Sequence, residues 1–208
     1  MNFNQPPEPN KESIVEKQLE AVENATLESG KKLDLTLLLL DKKEGAQLGK
    51  YKIVESETDK EKTLTEFSQE LSEIMKVITE TGLRYHMAKE LSDEEGMVGF
   101  SVLLSKTQET LEKFVEADKN DDDKTFGLMV GYPKTAVEAY NTDEAFNFQN
   151  ELSAEEYKKI ENEGLLSFLH FKPSKEHWAE ELEFARENQR LVKEKAPLLY
   201  QELTNTKE

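Results

Sequence analysis

The 208-residue chain has no cysteine. That removes disulfide frameworks, zinc–thiolate and iron–sulfur sites, and any thiol nucleophile. Basic side chains are scarce as well: 27 Lys and Arg stand against 44 Asp and Glu, for a net charge of −17. Such a surface repels phosphate, so binding of nucleic acid through a basic face is not expected, and neither is adhesion to an anionic membrane. The longest apolar run, Leu37 to Leu40, falls far short of the ~20 residues that a membrane helix needs. The first residues, MNFNQPPEPNKE, have neither the basic nor the apolar region of a secretory signal, and a cytoplasmic protein is expected. No pattern calls for a cofactor.

What is present can fill a modest core. Hydrophobic residues make up 36% of the chain, including ten Phe, six Tyr and one Trp. Residues 1–10 hold three of the six prolines and read as a disordered tail. A single domain then spans 11–204, with a frayed end at 205–208. Ile14, Val15, Leu19, Val22 and Ala25 fall at helical spacing and predict a peripheral helix within 11–29, with Gly30 as its stop. Leu33, Leu35, Leu37 and Leu39 alternate, which predicts a strand over 33–40 that forms an antiparallel hairpin with a second strand near Lys50 to Glu55.

Further on, Thr63-Leu64-Thr65-Glu66 has the form of a capping box. Phe67, Leu71, Ile74 and Ile78 follow at helical spacing, so a helix is expected over 63–81, ended by Gly82. Alternation returns across 83–104, split by Ser92-Asp93-Glu94-Glu95-Gly96, and predicts a hairpin. A second box at Ser105-Lys106-Thr107-Gln108 opens a helix with Leu111, Phe114 and Val115 inward. Gly131 ends a short helix, Pro133 opens another with Ala136, Val137 and Tyr140 buried, and Ser153 to Gly164 bounds a third. Leu165 to Phe171 reads as a strand. Pro173-Ser174 then starts the longest helix, which Pro197 kinks or replaces with a new segment. The expected architecture is α+β, a mixed or mainly antiparallel sheet with hairpins packed by amphipathic helices and closed by a long C-terminal helix.

The chemistry-bearing groups are few. Asp118, Asn120 and Asp122 match the first three ligand positions of a calcium-binding EF-hand loop. Asp123 then replaces the required Gly, and Met129 the bidentate Glu, so a solvated loop is expected. The histidines are His86, His170 and His177. His177 and Glu181 stand at i and i+4, with His170 nearby, but carboxylates beside a helix start are favoured by the helix dipole without any metal. Gly131-Tyr132-Pro133 forms a tight corner between helices, either an anion seat or a packing corner. Together Gly131, Tyr132, Pro133, His170, Lys172 and His177 are the candidate binding residues. No catalytic motif occurs.

The stretch from Gly127 to Tyr140 resembles the signature of an uncharacterised prokaryotic family, in which Gly-Tyr/Phe-Pro is followed by small residues, often Cys-Cys, and then by Val-x-x-Phe/Tyr. Members of that family also carry a later His-x-Pro-Cys-Ser-type segment opening a C-terminal helix, matched here by His170-Phe171-Lys172-Pro173-Ser174. The similarity covers roughly residues 97–200. Thr135 and Ala136 stand where the Cys pair would be, so no thiol chemistry carries over, and the resemblance implies no known reaction.

Segment 90–163 contains 7 basic and 19 acidic side chains and so holds most of the negative charge. A basic partner protein would be steered to it. The function expected from the sequence is a non-catalytic binding or protein-interaction domain. A small enzyme built on Tyr132, His170, Lys172 and His177, or a structural component of an assembly, are the alternatives. For an enzyme, those four side chains would have to converge in one cavity.

Overall fold

The computed structural model describes residues 11–94 and 96–205. The expected tail at 1–10 lies outside them, as does most of the expected frayed end. In chain order the elements are α1 (Lys11–Glu23), α2 (Ser29–Leu39), β1 (Gly45–Ile53), α3 (Glu57–Thr81), β2 (Arg84–Glu94), β3 (Met97–Ser105), α4 (Gln108–Lys119), α5 (Asp123–Met129), α6 (Lys134–Ala139), α7 (Phe148–Glu151), α8 (Ala154–Asn162), a 3₁₀ turn (Leu165–Phe168), α9 (Trp178–Lys195) and α10 (Pro197–Thr204). The fold is α+β. Its sheet is three-stranded and antiparallel with the order β1-β3-β2, so β3 is central.

Alternation along β3 explains its position. Val98, Phe100, Val102 and Leu104 point to one face, where they meet α1, α2 and α3 in the largest core cluster. Phe67 of α3 packs edge-on against Phe100 at 5.9 Å. Leu103 points to the other face and meets Leu111 and Phe114 of α4 and Met129 beyond them. The expected hairpin over 83–104 is present as β2 and β3. Gly82 does stop α3, in the left-handed region at φ 69°, and its N–H donates to the Ile78 carbonyl.

The leucine run is where the expectation fails. Residues 29–39 form a helix, not a strand, and β1 pairs with β3 instead of with this segment. Leu35, Leu38 and Leu39, at i, i+3 and i+4, enter the cluster beneath the sheet, while Leu33 and Leu37 enter a second cluster with α9 and α10. A helix buried on two sides has apolar residues at nearly every position, and that pattern mimics strand alternation. Even its cations are enclosed: Lys31 pairs with Glu70 of α3, and Lys32 with Glu202 of α10 at 2.9 Å. Gly30 therefore lies in the first turn of α2 and does not terminate α1.

Other boundaries move for identifiable reasons. Ser56, not Thr63, caps α3, its hydroxyl accepting from the Asp59 N–H, which makes α3 the longest helix at 25 residues. Thr63 is buried in its interior. Thr107 caps α4, and the Ser105 hydroxyl donates instead to the Glu44 carbonyl at 2.8 Å. The capping box at Ser153 and Glu156 is complete. The expected strand at 165–171 is a 3₁₀ turn followed by irregular chain, because Leu165 and Phe168 are drawn into separate clusters. The C-terminal helix starts at Trp178 rather than at Pro173-Ser174, and Pro197 opens α10.

Candidate functional site

The corner at Gly131-Tyr132-Pro133 is set by a seat that lies far back in the chain. Gly131 adopts φ 80°, and a Cβ there would stand 2.8 Å from the Lys42 carbonyl oxygen. The Glu44 N–H donates to the Met129 carbonyl at 2.9 Å, so the turn between α2 and β1 and the end of α5 are locked together. The N–H groups of Gly131 and Tyr132 donate to the carbonyls of Leu128 and Gly127. Those two donors are used internally, and the corner packs against the Lys42–Lys43 turn. Pro133 directly precedes α6 as its N-cap.

Tyr132 is thereby turned into the wall of a cavity of about 530 Å³ between α5–α6 and residues 169–172. Phe126, Val137 and Tyr140 line one side of it, and His170, Phe171 and Lys172 the other. The Tyr132 and Phe171 rings meet at 5.7 Å. Tyr140, expected in the core, is 47% exposed because it stands at this cavity and not beneath α6. Three of the four side chains that an enzyme site would require thus come together. The fourth, His177, does not. It lies at the start of α9 with Nδ1 3.4 Å from Glu180, and its N–H donates to the Ser174 hydroxyl.

His170 is held from behind. Its Nε2 lies 3.0 Å from the Ser167 carbonyl oxygen and its Nδ1 3.5 Å from the Asp34 carboxylate, which also pairs with Lys43. Burial by itself would push the Asp34 carboxyl up. The hydrogen bond from His170 and the Lys43 charge outweigh it and hold the group below the ordinary aspartate range. The Tyr132 hydroxyl is shifted up, first by burial and then by the Asp34 charge. Ser167 and Asp34 carried no sequence signal beyond a polar residue inside an apolar run, and their role was not legible.

A second brace joins the two walls. Glu181 of α9 is 3% exposed; its carboxylate accepts from the Thr135 hydroxyl at 2.6 Å and from the Ser174 N–H at 2.7 Å. Both Glu181 carboxylate oxygens are thus engaged, one by Thr135 and one by Ser174. Among the described residues no group of three His, Asp or Glu side chains is placed to hold a metal ion. In the acidic loop, the Asp122 carboxylate is spent as the cap of α5, accepting from the Thr125 N–H at 3.0 Å.

The arrangement defines an α+β domain with a braced, aromatic-walled cavity. No protein-family model, no curated protein and no solved structure matches the chain.

Proposed function

We propose that this protein is a non-catalytic binding domain whose ligand occupies the cavity between Tyr132 and Lys172. One observation carries the reading: the groups best suited to move protons there are committed elsewhere. Both ring nitrogens of His170 face oxygens of the protein itself, and the raised Tyr132 hydroxyl stays protonated at neutral pH. A general base needs a free acceptor within hydrogen-bond reach of its substrate, and neither His170 nor Tyr132 supplies one. What remains is an apolar lining with a few polar groups, the usual composition of a small-molecule site. The negative charge of segment 90–163 suits, in addition, encounter with a basic partner protein, and we place the protein in the cytoplasm.

Titration with 2-naphthoate under heteronuclear NMR tests the site. Saturable shifts are expected at Phe126, Tyr132, Val137, Tyr140 and His170 to Lys172. Shifts scattered over the surface, or none, would reject it. Turnover of any bound probe would favour an enzyme at these residues instead.

A further inference from the structure

A second cavity, of about 320 Å³, lies across residues 169–172 from the first. Phe146, Phe148, Tyr157 and Leu166 line it, and it shares Leu169, Phe171 and Lys172 with the larger one. Its far wall is stiff, because the Phe146 ring stacks on Trp178 at 5.5 Å with an interplanar angle of 5°, and Phe148 meets Trp178 edge-on. Both volumes fall within the range of about 300–1,000 Å³ typical of ligand sites. An apolar group in each would be separated only by the shared Phe171–Lys172 rim.

Charge at that rim is one-sided. Lys172 is exposed, lines both cavities, and is the only Lys or Arg to line either. No ion pair or side-chain hydrogen bond engages its ammonium among the described residues, although the chain has a large surplus of carboxylates. The backbone N–H groups of His170, Phe171 and Lys172 likewise donate to no backbone acceptor among the described residues. The carboxylate lining the larger cavity, Asp123, is engaged by the Asn141 amide at 3.3 Å. The net charge of the whole chain does not decide local binding, since beyond about 8 Å it is largely screened at physiological ionic strength.

Resting on the binding reading above, we propose that the ligand is an elongated carboxylate with an apolar arm on each side of the charge. The carboxylate pairs with Lys172 at the shared rim, one arm enters the tyrosine-walled cavity, and the other lies against the Phe146–Trp178 stack. Each buried methylene multiplies affinity by several-fold, so two arms bind far more tightly than one.

Calorimetric titration of the full chain with N-octanoyl-L-phenylalanine, its methyl ester and 3-phenylpropionate tests this. The two-armed acid is expected to bind one to one, at least tenfold tighter than the one-armed acid and tenfold tighter than the uncharged ester. Lys172→Gln should remove the preference for acid over ester. Ala145→Trp, which fills the smaller cavity, should bring the two-armed acid down to the affinity of 3-phenylpropionate. Independently of any variant, the indole N–H of Trp178, the chain's one tryptophan, should shift with the two-armed acid and stay in place with 3-phenylpropionate. Equal affinities of one- and two-armed acids, or a silent Trp178, would confine the ligand to one cavity and overturn the proposal while leaving the site intact. Equal binding of acid and ester would overturn the role of the charge. Failure of every probe, 2-naphthoate included, would overturn the binding reading as well.

Discussion

The Asp34 carboxylate stands 3.5 Å from Nδ1 of His170 and joins helix α2 to the wall of the cavity. Its protonation is therefore coupled to folding. Because the folded-state value is depressed, the stabilisation is complete above the unfolded value, about pH 4, and is lost as pH falls through the lower folded value. Asp34→Asn should cost about 2 kcal/mol near neutral pH, the scale of a hydrogen bond to a charged group. Melting temperatures of wild type and variant should converge only on the acid side of pH ~4. A gap that stays constant into strong acid would refute the linkage.

Gly131 and Gly30 make opposite predictions for the same substitution. At Gly131 a methyl group meets the Lys42 carbonyl in a left-handed conformation, whereas at Gly30, in the first turn of α2, nothing lies within 4 Å. Gly131→Ala should destabilise by about 2 kcal/mol or more, from backbone strain and the clash together. Gly30→Ala should stabilise by roughly 0.5–1 kcal/mol through helix propensity and reduced freedom of the unfolded chain. Urea midpoints of the two variants decide it, and a stabilised Gly131→Ala would show that the corner is not seated on Lys42.

The true start of α3 can be tested at Ser56 and Thr63. Ser56→Ala removes a cap and should cost about 1 kcal/mol. The Thr63 hydroxyl is buried without a hydrogen-bond partner, so Thr63→Val should be neutral or gain up to ~1 kcal/mol. If Thr63→Val were the more damaging of the two in chemical denaturation, the helix would begin where the sequence pattern first placed it.

Glu181 ties both walls of the cavity through Thr135 and Ser174. Thr135→Val keeps the shape but withdraws a donor from a buried carboxylate, and should cost about 1.5–3 kcal/mol. Thr135→Ser retains the hydroxyl and should recover most of that. A differential-scanning comparison in which valine and serine behave alike would show that the hydroxyl does not matter.

Local signals in the sequence were read correctly where local physics decides. Gly82 and Gly131 end helices at positive φ, Ser153 opens α8, and alternation around Gly96 gives the β2–β3 hairpin, whereas the boxes expected at Thr63 and Ser105 give way to caps at Ser56 and Thr107. The segment Leu33 to Leu40 was misread because its partners lie on both sides. The sheet and α3 claim Leu35, Leu38 and Leu39, and α9 and α10 claim Leu33 and Leu37. Periodicity reports how many faces are buried, not which element buries them. Leu165 to Phe171 failed for the same reason, its apolar residues being divided between two clusters. At the site, Tyr132, His170 and Lys172 were singled out in the sequence, whereas Asp34, Tyr140 and Glu181 acquire roles only through contact with distant segments.

By itself, then, the sequence determined the properties carried by composition and by neighbouring residues: the large negative charge, the absence of thiol chemistry, the helix stops at Gly82 and Gly131 and the α+β class. Only the tertiary structure decided that the leucine run is a central helix, that His170 faces Asp34, and that His177 stands apart from Tyr132. Helix stops at glycine are fixed by the conformation of one residue and hydrogen bonds spanning a few more, so they can be read along the chain. Burial on two sides and the meeting of side chains at a cavity depend on which remote surfaces pack together.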